Sequence, residues 1–484
     1  MLQKIKNIHV FYFFVVSYIL VNSYVLLFDR GMFYLYNMIP IFLLIVLLGI
    51  FDIEKIMYLM VFSTPLAISL KELGMSDGLN LSLPAEPLMI GITLIYILNE
   101  ISHGITDKKI LRHPITIIIF LQLAWMVITT FFSELPIISV KFIISRVWFL
   151  TSCYFMCTQL FKHKQKIVVH LLLYGVALAI VAIITTYKHA AFGFDEKTAD
   201  WIVSPFYNDH TAYGCALAMF IPVVAGLILI KDINIIIKGL CLLLLTIFLI
   251  SIIVSYARAG WLSLAVSLGV LATLFLKIKF RTLLFTLVGG IIMFLAFQSE
   301  ILMILGRNNT DSDGDFMQNI ESMTNISTDV SNVERLNRWN CAIQMFEEKP
   351  FLGFGPGTYQ FLYAPYQKSS MKTVISTNFG NKGNAHSEYL GPLCEQGFMG
   401  AIFVIALVLA VMFLGYRLVY TIKEKSLKTL TIVLLMGIST YFVHGFLNNF
   451  LDTDKASVPF WGFLSMLVCI DVYHKNKLEE EIKE

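Results

Sequence analysis

Residues 384–415 read NAHSEYLGPLCEQGFMGAIFVIALVLAVMFLG. The second half, AIFVIALVLAVMFLG at 401–415, is an unbroken apolar run of the kind that crosses a hydrocarbon layer as a helix, with its backbone polar groups bonded internally. The first half places Asn384, His386, Glu388, Tyr389 and Glu395 at the entrance to that run. The apolar half decides the fold, and the polar half raises the question of function.

Similar runs recur along the chain. Spans are expected near 8–27, 32–50, 55–70, 86–100, 113–132, 136–160, 167–189, 208–230, 234–254, 259–276, 281–298, 398–420, 429–448 and 456–474. The 484 residues are 57% hydrophobic and 14% charged, and mean hydropathy is +0.75. Soluble domains carry about a quarter charged residues, so a soluble globular class is excluded. The fold class is an all-α polytopic membrane protein with about 12–14 transmembrane helices and one long extramembrane loop. Residues 1–28 combine a charged start and a long apolar body without a small-residue cleavage site, which reads as a first span and not a cleaved leader.

Lysine and arginine orient the spans. Lys4 and Lys6, Lys55, Lys108 with Lys109 and Arg112, Lys162 to Lys166, Lys231 and Lys238, Lys277 to Arg281, Arg417 to Lys428, and Lys475 to Lys483 all fall on one side of a fourteen-span chain. That side is expected to be cytoplasmic, with both termini on it. Residues 1–200 are then N-terminal spans, 201–298 central spans, 299–397 the long outer loop, and 398–484 the last spans and tail. The stretch GRNNTDSDGDFMQNIESMTNISTD opening the loop is polar and irregular. It holds the sequons Asn308 and Asn325 and the Asp311-Ser-Asp313 pair.

The seven cysteines form no CxxC pair. Cys153 and Cys157 read as small core residues, and Cys341 and Cys394 are the two that share the outer region and could pair.

Four polar clusters gather on the outer side. In SPFYNDHTAYG (204–214), Asn208 or Asp209 is an N-cap candidate, and His210 a weaker binding candidate. In SYARAGWLSL (255–264), Arg258 stands between two apolar runs, where a charge faces a polar cavity or snorkels to the interface. In VERLNRWNCAIQMFEEKPFLGFGPGTY (333–359), Leu336, Trp339, Ile343 and Phe346 recur at helical spacing. Arg335 and Arg338 then flank that stripe roughly 60° apart, an arrangement that suits a diphosphate. Pro350 ends the helix, and the GFGPG turn lacks the Lys-Ser/Thr of a P-loop. In the fourth cluster, Asn384 is expected to cap a helix with His386 in its first turn, which keeps the imidazole neutral. A straight helix would point Glu395 away from His386, about 13 Å along the axis, unless Pro392 kinks it. Lys141 and Arg146 lie in the outer half of the sixth span, and His444 and NNFLDTDK (448–455) border the last outer loop.

The chain resembles the O-antigen ligase and polymerase superfamily, which includes protein O-oligosaccharyltransferases. The resemblance rests on three motifs in order. They are S-x-A-R-A-G-W at Ser255–Trp261, R-x3-W-x2-A-x2-MF-x3-P-x2-G-x-GPG from Arg335 to Gly357, and H-[NS]-x-[YF]-L-x4-E-x-G from His386 to Gly397. Ser387 stands where the family often has Asn. The resemblance implies a metal-independent GT-C-type glycosyltransferase of the bacterial inner membrane with a periplasmic site. It takes a glycan from undecaprenyl diphosphate, Arg258 and Arg335 binding the diphosphate and His386 activating the acceptor hydroxyl. Arg338 is added from the helical wheel. Asn208, His210, Arg146 and Tyr389 are candidate substrate contacts. No metal, cofactor or nucleic-acid partner is expected.

Three acceptors compete: lipid A–core (a ligase), a second lipid-linked repeat (a polymerase) and a protein hydroxyl (an oligosaccharyltransferase). The ligase is preferred. A lipid-glycan transporter is the alternative of another class. It is disfavoured because no inverted repeat or matched pair of broken spans is visible, and because the polar groups gather at one face.

Overall fold

The structure is a computed structural model. It describes residues 2–28, 49, 51–73, 81–296, 330–369, 372 and 383–475. The span expected near 32–50, apart from residue 49, and the opening of the outer loop at 299–329, with Asn308, Asn325, Asp311 and Asp313, lie outside the described residues, as does the tail beyond 475. The chain falls into two compact units, Met1–Leu59 and Met60–Glu484. The first contains α1 (Leu2–Phe28), a 27-residue helix with exposed apolar side chains. Helix α2 (Ile53–Ser63) has 11 residues.

Among the described residues, ten helices are long and apolar enough to cross a membrane. They are α3 (Ala85–His103), α4 (Pro114–Phe131), α5 (Pro136–Leu160), α6 (Lys164–Ala190), α8 (His210–Leu229), α9 (Ile235–Val254), α10 (Arg258–Phe275), α13 (Leu390–Thr421), α14 (Lys425–Leu447) and α15 (Asp454–His474). Between them lie α7 (Glu196–Ile202), α11 (Phe280–Ala296) and α12 (Val330–Glu348). The chain is an all-α polytopic membrane protein. One expectation needs correcting: the segment near 55–70 does not form a span. Helix α2 stops at Ser63 because Pro65 follows, and two short antiparallel strands, Ile68–Ser69 and Ser82–Leu83, continue instead.

Helices α8, α14 and α15 form the centre of the second unit, each with more than two thirds of its apolar window buried. Helix α8 packs on α14 and α10. Small residues let the backbones meet: Gly226 abuts Val433, and Gly437 lies against the Met219 carbonyl. On α9 the situation is reversed. Leu242, Leu243, Ile250 and Ile253 are exposed, as expected for a face covered by lipid.

The two ends of the bundle differ. At one end, Asp471 meets His113, Arg417 and Lys475, and Lys164 pairs with Glu424 and Asp232. These are loops that the Lys/Arg pattern assigns to a common side. At the other, α12, residues 351–366 and residues 383–389 pack on the start of α13. Their core is Cys341, Ala342, Met345, Phe354, Tyr359, Tyr363, Ala385 and Cys394. Cys341 and Cys394 share this core as free thiols.

Helix α12 forms as its periodicity predicts, but its most buried face is not the apolar stripe. Glu334, Asn337, Arg338, Cys341, Ala342 and Met345 are buried, whereas Ile343 is 42% exposed. Residues 351–366 and 383–389 cover the polar flank, so Arg338 points into the fold and not along its surface.

Candidate active site

Helix α13 starts at Leu390, not at Asn384. Residues 384–389 form a tight approach whose polar side chains hold the backbone. Asn384 Oδ1 accepts the His386 N–H at 3.1 Å, and Ser387 Oγ accepts the N–H groups of Tyr389 and Leu390 at 3.3 Å each. His386 occupies the left-handed backbone region at φ 47°, which costs about 1–3 kcal/mol and persists only where the surroundings enforce it. Several contacts do so. Trp339 Nε1 donates to the His386 carbonyl at 3.3 Å, the Glu388 N–H donates to the Gly445 carbonyl at 2.7 Å, and Tyr389 Oη donates to the Phe442 carbonyl at 2.9 Å.

The His386 imidazole is therefore neutral for a reason other than a helix start. Burial pushes its pKa down to about 3, and the charges of Arg338 and then Arg335 push the same way. The Asn448 side chain is its hydrogen-bond partner and works in the opposite sense. Asn448 Nδ2 also lies 3.4 Å from His444 Nε2. His444 in turn lies near the Ala259 backbone, next to Arg258, and near Arg335. The second and third motifs thus meet at His386 through Trp339, and the first lies beside His444 at Ala259, although 128 positions separate Arg258 from His386 in the chain.

Arg338 is anchored. Its Nε donates to Glu334 Oε1 at 2.7 Å and its Nη1 to the Asn384 carbonyl at 3.2 Å, with the guanidinium 5.7 Å from the Tyr363 ring centre. Arg258 opens α10 and pairs with Glu196 at 3.3 Å. Asp209 caps α8 by accepting the Ala212 N–H at 2.7 Å, and His210 Nδ1 lies 3.0 Å from Asp200, whose carboxyl it holds below its usual range.

A cavity of about 740 Å³ opens beside His386. Asn208, Arg146, Arg338, Tyr389, Glu388, Glu395 and Asp452 also line it. Arg258, Arg335 and His210 are not among the described residues on its walls. The structure thus brings His386, Arg338, Arg146, Asn208 and Tyr389 to one cavity, with Arg335 near enough for its charge to act on His386 and Arg258 paired with Glu196 at the start of α10.

Two carboxylates here have partners that the sequence did not identify, although Glu395 reads from sequence as a structural residue or a contact to another helix. Glu388 Oε1 accepts Tyr441 Oη at 2.5 Å and the N–H groups of Phe450 and Leu451 at 2.8 and 2.9 Å. Burial and the nearby Asp452 charge raise its pKa. Glu395, expected to face away from His386, lines the same cavity because His386 is outside the helix. Its carboxylate accepts the N–H of Gly357 and of Tyr359, each at 2.9 Å, and so clamps the GFGPG turn. The clamp also uses main chain: Phe354 N–H donates to Cys394 O, Gly355 N–H to Glu395 O, and Phe398 N–H to Pro350 O. Gly397 at φ 70° permits this contact, since a Cβ there would overlap the Phe351 carbonyl.

The arrangement offers a neutral buried imidazole, cationic groups on one flank, and an open volume large enough for sugar rings. Residues 241–405 match the family model described as O-antigen ligase. A protein of Haemophilus influenzae, described as uncharacterized, is 25% identical over 222 residues, which is 45% of this chain and 52% of that protein. The chain thus spans about half the length of the curated relative it matches.

Proposed function

Starting from membership of the O-antigen ligase superfamily, which the match over 241–405 supports, we propose that the chain moves a glycan from undecaprenyl diphosphate to a hydroxyl of lipid A–core. The reaction takes place at the periplasmic face of the bacterial inner membrane, in a metal-independent GT-C-type bundle with both termini in the cytoplasm. The observation that carries the reading is His386. It is a neutral imidazole on a cavity wall, with Arg335 and Arg338 close enough for their charges to act on it.

In the proposed step, the acceptor hydroxyl gives its proton to His386 as its oxygen attacks the anomeric carbon. The bond from that carbon to the diphosphate oxygen breaks, and the electron pair leaves with the diphosphate. Arg258, Arg335 and Arg338 hold the growing negative charge. Asn208, Tyr389, Arg146 and, more remotely, His210 contact the sugars or shape their site. Burial is the larger cause of the low imidazole pKa, and the smaller part due to Arg338 and Arg335 is offset once a diphosphate lies on them, so donor binding makes His386 a stronger base.

A deletion strain resolved on a glycan gel tests the assignment. Loss of all polymer from lipid A is the expected pattern. A single repeat left on lipid A would replace the reading with a polymerase, and intact lipopolysaccharide with unmodified glycoproteins would replace it with a protein oligosaccharyltransferase.

A further inference from the structure

Arg146, on α5, is 9% exposed, and its guanidinium faces the cavity. Its contacts are few for a group with five N–H donors. Nη2 reaches Asp452 Oδ1 at 3.5 Å, at the edge of a useful ion pair, and the guanidinium lies 5.4 Å from the Phe142 ring centre. Asp452 is half exposed, so water screens its long contact with Arg146 and it neutralises the guanidinium incompletely. The other acids in the cavity are already occupied: Glu388 by Tyr441 and two backbone N–H groups, Glu395 by Gly357 and Tyr359, and Asp209 by the Ala212 N–H. Arg338 is likewise occupied, by Glu334 and the Asn384 carbonyl. A nearly buried guanidinium left this way is poorly solvated, and a ligand that completes its bonding offsets that cost.

Of the diphosphate arginines, Arg258 and Arg335 do not line the cavity, whereas Arg146 does. The charges acting on His386 are those of Arg338 and Arg335, whereas Arg146 acts on Glu388, Glu395 and Asp452. Lys141, less than two turns earlier on α5, lines the cavity too.

We propose that Arg146 is the centre of a second anion subsite, which binds a phosphate or carboxylate carried on a sugar of one of the two substrates. The inference rests on the glycan-transfer reading and narrows it: at least one substrate is an acidic glycan. A planar guanidinium pairs with either anion through two parallel N–H donors. The acid could be on the acceptor or on the transferred glycan.

The test uses the full-length protein in nanodiscs. Glucose 6-phosphate, glucuronate, glucose and inorganic pyrophosphate are titrated against wild type, Arg146→Gln and Arg146→Lys, with Trp461 on the cavity wall as one fluorescent reporter. The two acidic sugars should bind wild type at least about 10-fold more tightly than glucose does. Arg146→Gln should erase that preference, Arg146→Lys should keep part of it, and pyrophosphate should bind all three alike. Equal binding of acidic sugars to wild type and Arg146→Gln overturns the subsite. Parallel loss of pyrophosphate overturns it too, by placing Arg146 in the diphosphate site. Arg146→Lys that keeps its thermal transition guards against a folding artefact. Transfer assays then locate the acid. Removing it from the substrate that carries it should make Arg146→Gln and wild type equal in KM for that substrate. Arg146-dependent binding without any transfer by wild type would leave the subsite standing and remove the transferase reading.

Discussion

Glu395→Ala should open the outer core locally before it affects the bundle. The native carboxylate accepts two buried backbone N–H groups, Gly357 and Tyr359, at 2.9 Å each. Alanine leaves both unsatisfied, at about 1–3 kcal/mol apiece. The main-chain bonds of Cys394 and Glu395 to the turn, and of Phe398 to the Pro350 carbonyl, survive, so a net loss of about 2–4 kcal/mol is expected for this layer. Built-in reporters are available. Cys341 and Cys394 are free and fully buried in the core that the clamp closes, while the other five cysteines are buried elsewhere. At about 1.4 kcal/mol per factor of ten, thiol labelling of Cys341 and Cys394 should accelerate roughly 30- to 1,000-fold, with the other five unchanged. Mass spectrometry of the labelled peptides reads each site. Glu395→Gln keeps one acceptor oxygen and should fall between the two. Unchanged labelling of Cys341 and Cys394 in Glu395→Ala would refute the clamp.

Other expectations follow from the same geometry. Gly397→Ala forces a side chain into φ 70° against the Phe351 carbonyl and should cost about 2–4 kcal/mol, read as a lower thermal transition. Asn448→Leu should lower kcat about 10-fold or more with donor KM unchanged, because the amide that faces His386 is gone. The pH dependence has a defined sign. His386 has a folded pKa of about 3, below its unfolded value near 6.5, so between those limits the unfolded chain binds the extra proton. Its contribution to stability is complete above about pH 6.5 and is lost as pH falls towards 3, by up to about 1.4 kcal/mol per unit. His386→Gln should flatten the fall in stability from pH 6.5 to 4.5 relative to wild type, as read from chemical denaturation at each pH.

Much of the fold was legible in the sequence because a membrane makes one demand that every span must meet. Ten expected spans fall on ten helices among the described residues, and loops rich in Lys and Arg meet at one end of the bundle. Local capping was legible too: Asp209 opens α8, and Pro350 follows the end of α12. The start of α13 was not. Pro392 suggested a kink, but it stands in the first turn, where a missing N–H leaves no bond unmade, and the irregular residue is Gly397. That shift of five residues moved His386 out of the helix and cancelled the argument that Glu395 faces away from it. The partners of Glu388, Glu395 and Arg146 were not legible at all. Each lies 36 or more positions distant, and an acid that will accept backbone N–H groups looks in sequence like any other.

The measurement that bears most directly on the account is single-turnover transfer by purified His386→Ala, together with its affinity for the lipid-linked donor. The account predicts donor binding within about 2-fold of wild type, since the guanidiniums are intact, and a transfer rate lower by about 10²–10⁴, the usual worth of a general base. Transfer at a rate near that of wild type would contradict it.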